Sequence, residues 1–242
     1  MIKRGIALAI PFVFGYNTHM ILMNLDSFRD PEFWKLLVCA IPVMLLSLTL
    51  HEWGHAFAAH LCGDDTAKNL GRMTLNPLKH IDPVGFLMIL LVGFGWAKPV
   101  PVNSRNYRNY KVGEAVVSLA GIAMNLLLAI LFSVLFVIFL PKYVYNSYSW
   151  LENGLLIKIL IFGISLNIIL MLFNLLPFYP LDGSHIFELL FAKRLPIKVF
   201  LFLRRYGYFI LIGLLLFFRL IGFSPINALS DWIIGKLVAI AL

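Results

Sequence analysis

Apolar residues are gathered into long runs along this chain, with polar residues clustered between them. Four runs, Phe33–Leu61, Gly113–Leu140, Leu155–Leu176 and Val199–Gly222, each supply the ~20 residues a helix needs to cross a bilayer core. Two weaker runs flank them. Met1–Leu25 places Lys3 and Arg4 before an apolar stretch from Gly5 to Gly15, and no small-residue cleavage pattern follows, so an uncleaved helix is predicted. Asn227–Leu242 is short and carries Asp231 and Lys236, and it is read as a sixth span, with an interfacial helix as the alternative. The pattern predicts an all-α polytopic membrane protein of about six transmembrane helices. These form one membrane-embedded domain over residues 1–242, with a core at about 34–190.

Gly63–Val112 breaks this pattern. Its apolar piece, Val84–Trp96, has about 13 residues, too few to span a membrane as a helix. Gly93, Gly95, Pro99 and Pro101 favour extended backbone with the prolines on edges. A re-entrant, hairpin-like segment after the second helix is therefore predicted. Such backbone is tolerated at depth only against protein or a wet cavity. It serves either as a packing plug or as an edge that pairs with an extended substrate.

Composition agrees with membrane residence. Of 242 residues, 61% are hydrophobic and 13% charged, with mean hydropathy +0.89; soluble domains run at about 45–50% and about 25%. The net charge of +8 does not point to nucleic acid, because the basic residues sit in loops, where topology and anionic lipid account for them. Lys3 and Arg4, the 68–111 region and Lys193–Lys198 fall on one side if the spans alternate. The positive-inside rule places that side, with the N-terminus, in the cytoplasm. Cys39 and Cys62 suit packing and suggest neither a disulfide framework nor a cysteine metal site.

The chemistry lies in the second span, at His51-Glu52-Trp53-Gly54-His55. On a helix His51 and His55 are one turn apart and leave the same face. Imidazoles so placed can grip one Zn2+, with Glu52 beside them to take a proton from water at the metal. Ionisable residues in hydrocarbon are costly and mark functional, hydrated cavities. A catalytic zinc has three protein ligands and an open position. Candidates for the third are His60, Asp64, Asp65, His80, Asp82, Asp182 and His185. His60 is displaced from the His51/His55 face, and Asp64 and Asp65 follow a break in an exposed loop. Asp182 lies at the depth of the motif without a cationic partner in sequence, and it is the ligand chosen; capping the following helix is its structural alternative. A variant of this reading uses Glu114 or Glu188 instead. Asn125 or His80 could donate to a tetrahedral oxyanion, though packing would also account for each. A non-enzymatic transporter would call for internal repeats, and the two halves show none that convinces.

These motifs resemble the site-2 protease family, the intramembrane zinc metalloproteases of peptidase family M50. His51–His55 is similar to the family's zinc helix, and Asn174-Leu175-Leu176-Pro177-Phe178-Tyr179-Pro180-Leu181-Asp182-Gly183 to its second motif, whose aspartate is the third ligand. Gly71–Gly85, Gly95–Asn103 and Ser118–Asn125 are similar to segments of compact bacterial members. Ile122 and Met124 depart from the usual spacing. The resemblance implies one zinc per chain, a three-helix core holding it, and cleavage of membrane-spanning protein substrates in a bacterial cell membrane, often in regulated signalling. No stretch is long enough for the PDZ or CBS domain some members carry, so regulation through one is not expected.

Overall fold

The computed structural model describes residues 31–92, 95–146, 154–221 and 225–241. The expected first helix, Met1–Leu25, lies outside them. Among the described residues the chain is all-α, with one isolated antiparallel bridge, Ile81 to Ala97, and no strand. The long helices are α1 (Pro31–Leu61), α4 (Tyr110–Asn146), α5 (Leu155–Asn174) and α7 (Ile197–Leu220). Shorter ones are α2 (Thr66–Asn69), α3 (Pro83–Val92), α6 (Asp182–Phe191) and α8 (Pro225–Ala241).

Four of these helices are long and apolar enough to cross a membrane, over Leu37–Leu61, Tyr110–Pro141, Leu155–Asn174 and Ile197–Phe218. The expected count of about six is therefore not reached among the described residues. At 17 residues, α8 falls short of the ~20 needed. It packs through Ile233, Ile234, Leu237 and Val238 against the main core.

That core is made by α1, α4 and α5, around Leu48, Phe132, Phe136, Leu140, Ile164, Leu166 and Leu170. Lipid is as apolar as these side chains, so close approach and buried polar contacts carry much of the specificity. At Gly163 of α5 a β-carbon would lie 2.7 Å from the Phe132 ring of α4. Asn167 of α5 donates to Ser47 Oγ of α1 at 2.9 Å. In contrast, α7 is peripheral: 17% of its span is buried in the protein, against 56% for α5. It meets the rest through Gly207 against the Tyr179 backbone, Leu211 against Phe173 and Leu181, and the Arg204–Glu188 ion pair.

The irregular region after α1 folds back on itself. Its apolar piece is helical rather than extended, because Asp82 Oδ1 accepts from Gly85 N–H at 2.8 Å and Pro83 pre-sets the first turn of α3. The return limb runs without helix from Gly95 to Asn103. The limbs close at their base, where Lys98 N–H donates to His80 O at 2.8 Å and Gly85 lies too near Trp96 O to admit a side chain. The segment is thus hairpin-like, with a helical first limb.

Candidate active site

Helix α1 carries exposed Lys35 near its start and part-exposed His60 near its end, and protein covers the polar side chains between them. Ser47, Thr49, His51, Glu52 and His55 are all buried. The 3.6-residue repeat puts both imidazoles against α4, and two glycines let the helices close. At Gly54 of α1 a β-carbon would lie 2.7 Å from Met124 Cγ and 3.1 Å from Ala120 O. At Gly121 of α4 it would lie 2.4 Å from His55 Nε2 and 2.7 Å from His51 Nε2. A methyl group at residue 121 would occupy the space between the ring nitrogens.

α4 also orients both rings. His55 Nδ1 lies 2.7 Å from Val117 O, which can only accept, so Nδ1 carries the proton. His51 Nδ1 lies 3.0 Å from Asn125 Oδ1 and donates there. In neutral imidazoles this leaves both Nε2 atoms with lone pairs, 3.0 Å apart.

Asp182 completes the group. The prolines after Asn174 end α5, and α6 starts at Asp182 itself. Gly183 admits the turn, since a β-carbon there would lie 2.3 Å from Leu175 O. Asp182 does not cap α6; Leu181 holds the cap position and makes no side-chain bond. Both Asp182 carboxylate oxygens are buried and make no hydrogen bond. Asp182 Oδ2 lies 3.5 Å from His51 Nε2 and 3.3 Å from His55 Nε2.

Three lone-pair-bearing atoms therefore face one another in a buried site, an arrangement that repels itself unless a cation sits among them. Two nitrogens and a carboxylate oxygen suit a borderline-soft divalent ion. The edges of the triangle, 3.0, 3.3 and 3.5 Å, match the ~3.3 Å separation of ligand atoms in a tetrahedral site with ~2.0–2.1 Å bonds. These residues fit the ion. Beside them, Glu52 Oε2 accepts from Val100 N–H at 2.8 Å, and Oε1 is buried without a hydrogen bond.

The other candidate ligands are engaged elsewhere. His60 pairs with Asp65, and Asp82 caps α3. Asp64, expected in an exposed loop, is fully buried and bonded to Thr66, Asn103 and Asn106. His80 Nε2 donates to Thr74 O at 2.8 Å. Glu114 pairs with His185, and Glu188 with Arg204. Among the described residues His51, His55 and Asp182 form the one such group whose ligand atoms lie within 4.8 Å of one another. Sequence reasoning missed the parts supplied by backbone or by absence: Val117 O, Val100 N–H, and the bare α-carbons of Gly54, Gly121 and Gly183. The small-residue run Ser118-Leu119-Ala120-Gly121 was the available signal for one of them.

Comparison with known proteins agrees with this geometry. The model of peptidase family M50 matches residues 39–147 and 137–217, which include every helix of the site. The chain belongs to that family. It is 45% identical over 145 residues to "Putative zinc metalloprotease YwhC" of Bacillus subtilis, covering 60% of this chain and 65% of that protein. It is 36% identical over 111 residues to "Putative zinc metalloprotease Rip2" of Mycolicibacterium smegmatis, covering 44% and 42%. The chain thus spans less than two thirds of the length of either relative. No solved structure matches it.

Proposed function

We propose that the protein is a zinc endopeptidase that hydrolyses peptide bonds of membrane-spanning proteins. One observation carries this reading: His51 Nε2, His55 Nε2 and Asp182 Oδ2 converge, buried, with no N–H or O–H donor among them. The family and the names of both relatives support it. His51, His55 and Asp182 hold one Zn2+ per chain. When bound, zinc acidifies a water molecule and polarises a carbonyl.

The chain's own groups supply the remainder. Glu52 is the general base: it takes the proton of the attacking water and returns it to the leaving amine. Val100 N–H holds Glu52 Oε2, which leaves Oε1 for the proton. Asn125 fixes the tautomer of His51, and its buried Nδ2 makes no hydrogen bond. That N–H is favoured over His80, which bonds Thr74 O, as a donor to the oxyanion.

The site opens toward the cytoplasm in this reading. The C-terminal half of α1, the N-terminal half of α4 and the C-terminus of α5 meet at one end of the bundle. The loops at that end carry Lys68, Arg72, Lys79, Lys98, Arg105, Arg108, Lys193 and Arg194.

Zinc analysis with cleavage of a membrane-spanning peptide, on wild type and Glu52→Gln in one detergent, tests the reading. Wild type should hold one zinc and cut. Glu52→Gln should keep the zinc and lose about 10²–10⁴-fold in rate. A zinc-loaded wild type that cuts no membrane-spanning peptide would overturn it.

A further inference from the structure

One buried ionisable pair has no part in the mechanism above. Glu114, near the start of α4, is 3% exposed, and His185, in the first turn of α6, is 8% exposed. His185 Nδ1 lies 3.2 Å from Glu114 Oε1. Each was a candidate metal ligand by residue type, yet they meet each other and not the metal group.

Their positions give the pair its meaning. His185 follows Asp182 by three residues, so the two share one face of α6. Glu114 precedes Val117 by three residues on α4, and Val117 O is the group that holds the His55 ring. This contact therefore ties the turn that presents Asp182 to the turn that anchors His55. Around it, Gly183 approaches Leu175 O and Leu176 O, the Tyr179 ring meets the His185 ring, and Glu188, one turn further on, pairs with Arg204. Gly183 sets how near α6 comes to the end of α5 and the Glu188–Arg204 pair is exposed, whereas Glu114–His185 is a buried ion pair on the turn that carries Asp182. Rotation matters. A side-chain tip lies about 5–6 Å from a helix axis, so 10° of roll moves the Asp182 carboxylate by about 1 Å. A misplacement of that size is enough to spoil a metal or catalytic site.

We propose that Glu114 and His185 are positioning residues that set the roll of α6 and so hold Asp182 in register with His51 and His55. They touch neither metal nor substrate. This rests on the reading of those three residues as metal ligands.

The test uses Co2+ in place of zinc in the full chain, reading metal affinity by competition with a chelator and the visible d–d absorption of the bound ion. Glu114→Met keeps the volume and removes the acceptor. It should weaken metal binding about tenfold, the low end for loss of a group that orients a metal ligand, and change the absorption band. Glu114→Gln keeps an acceptor for His185 Nδ1 and should restore both. His185→Leu, removing the other half, should behave as Glu114→Met and serves if that variant does not fold. A pair that merely glues two helices would lower thermal stability and leave affinity and spectrum unchanged, and that result in either folded variant overturns the proposal. If the wild type itself binds neither Co2+ nor Zn2+, the metal reading has failed and the proposal falls with it.

Discussion

Asp64 and Asp182 are both fully buried aspartates, and the chain treats them in opposite ways. Asp64 lies past the end of α1. Its Oδ1 accepts from Thr66 N–H at 3.1 Å, from the Thr66 hydroxyl and from Asn106 Nδ2 at 2.8 Å, and its Oδ2 from Asn103 N–H at 2.6 Å. It fastens the turn after α1 to the loop before α4. Asp182 has no hydrogen bond on either oxygen and faces only two imidazole nitrogens. A buried carboxylate must be met by donors or by a cation. The chain supplies the donors for Asp64 and gives Asp182 none, as the proposed metal site requires. A buried acid with four donors is a fastener, and one with none is a functional site.

Removing each charge tests this contrast, and the two changes should have opposite consequences. Asp182→Asn should lose essentially all bound zinc and all proteolysis, while metal-free protein unfolds at the same or a higher temperature, because an uncompensated buried charge has gone. Metal analysis and thermal unfolding after chelation check it. A fall in metal-free stability would show that Asp182 is a fastener too. Asp64→Asn should keep one zinc per chain but lose about 3 kcal/mol of stability. For a chain of this size that is about 6–12 °C in Tm. Retained stability would dissolve the contrast.

A smaller effect is expected at Asn125, which holds His51 from outside the ligand set. Asn125→Ala should weaken zinc binding about 10–100-fold, read by chelator competition, with the protein still folded. The smallest concerns His80, a third buried group. Burial pushes its imidazole below the ordinary 6.5 and the nearby Arg72 cation adds to this, against the opposing bond to Thr74 O. With the folded value below the unfolded one, the stability His80 contributes is present above about pH 6.5 and lost as pH falls through the lowered value. Unfolding measured at pH 7.5 and pH 5 should show that loss, and His80→Gln should flatten it.

The sequence was most legible where one helix carries the information. Span boundaries for α1, α4, α5 and α7 lie within a few residues of the apolar runs, because the bilayer imposes length and hydropathy on each helix separately. The shared face of His51 and His55 was legible for the same reason, since four-residue spacing fixes it, and Glu52 follows His51 directly in the chain. Depth along the membrane also singled out Asp182. Asp64 shows the failure. Its polar neighbours suggest an exposed loop, yet Asn103 and Asn106, some forty residues later, close over it. The expectation of extended or hairpin-like backbone was met as a hairpin-like turn but not as extended chain over Pro83–Val92, where Asp82 and Pro83 start a helix.

The sequence by itself determined a membrane chain of long apolar helices, one of which carries two imidazoles and a carboxylate on fixed faces. Spacing, hydropathy and bilayer thickness are properties of single segments. Only the tertiary structure decided how closely the Asp182 carboxylate meets those imidazoles, which acids are fastened away, and that Gly121 and Val117 O border the meeting point, with Glu114 and His185 paired near it. Those outcomes depend on the approach distance and roll of one helix against another, which the residues of a single helix do not set.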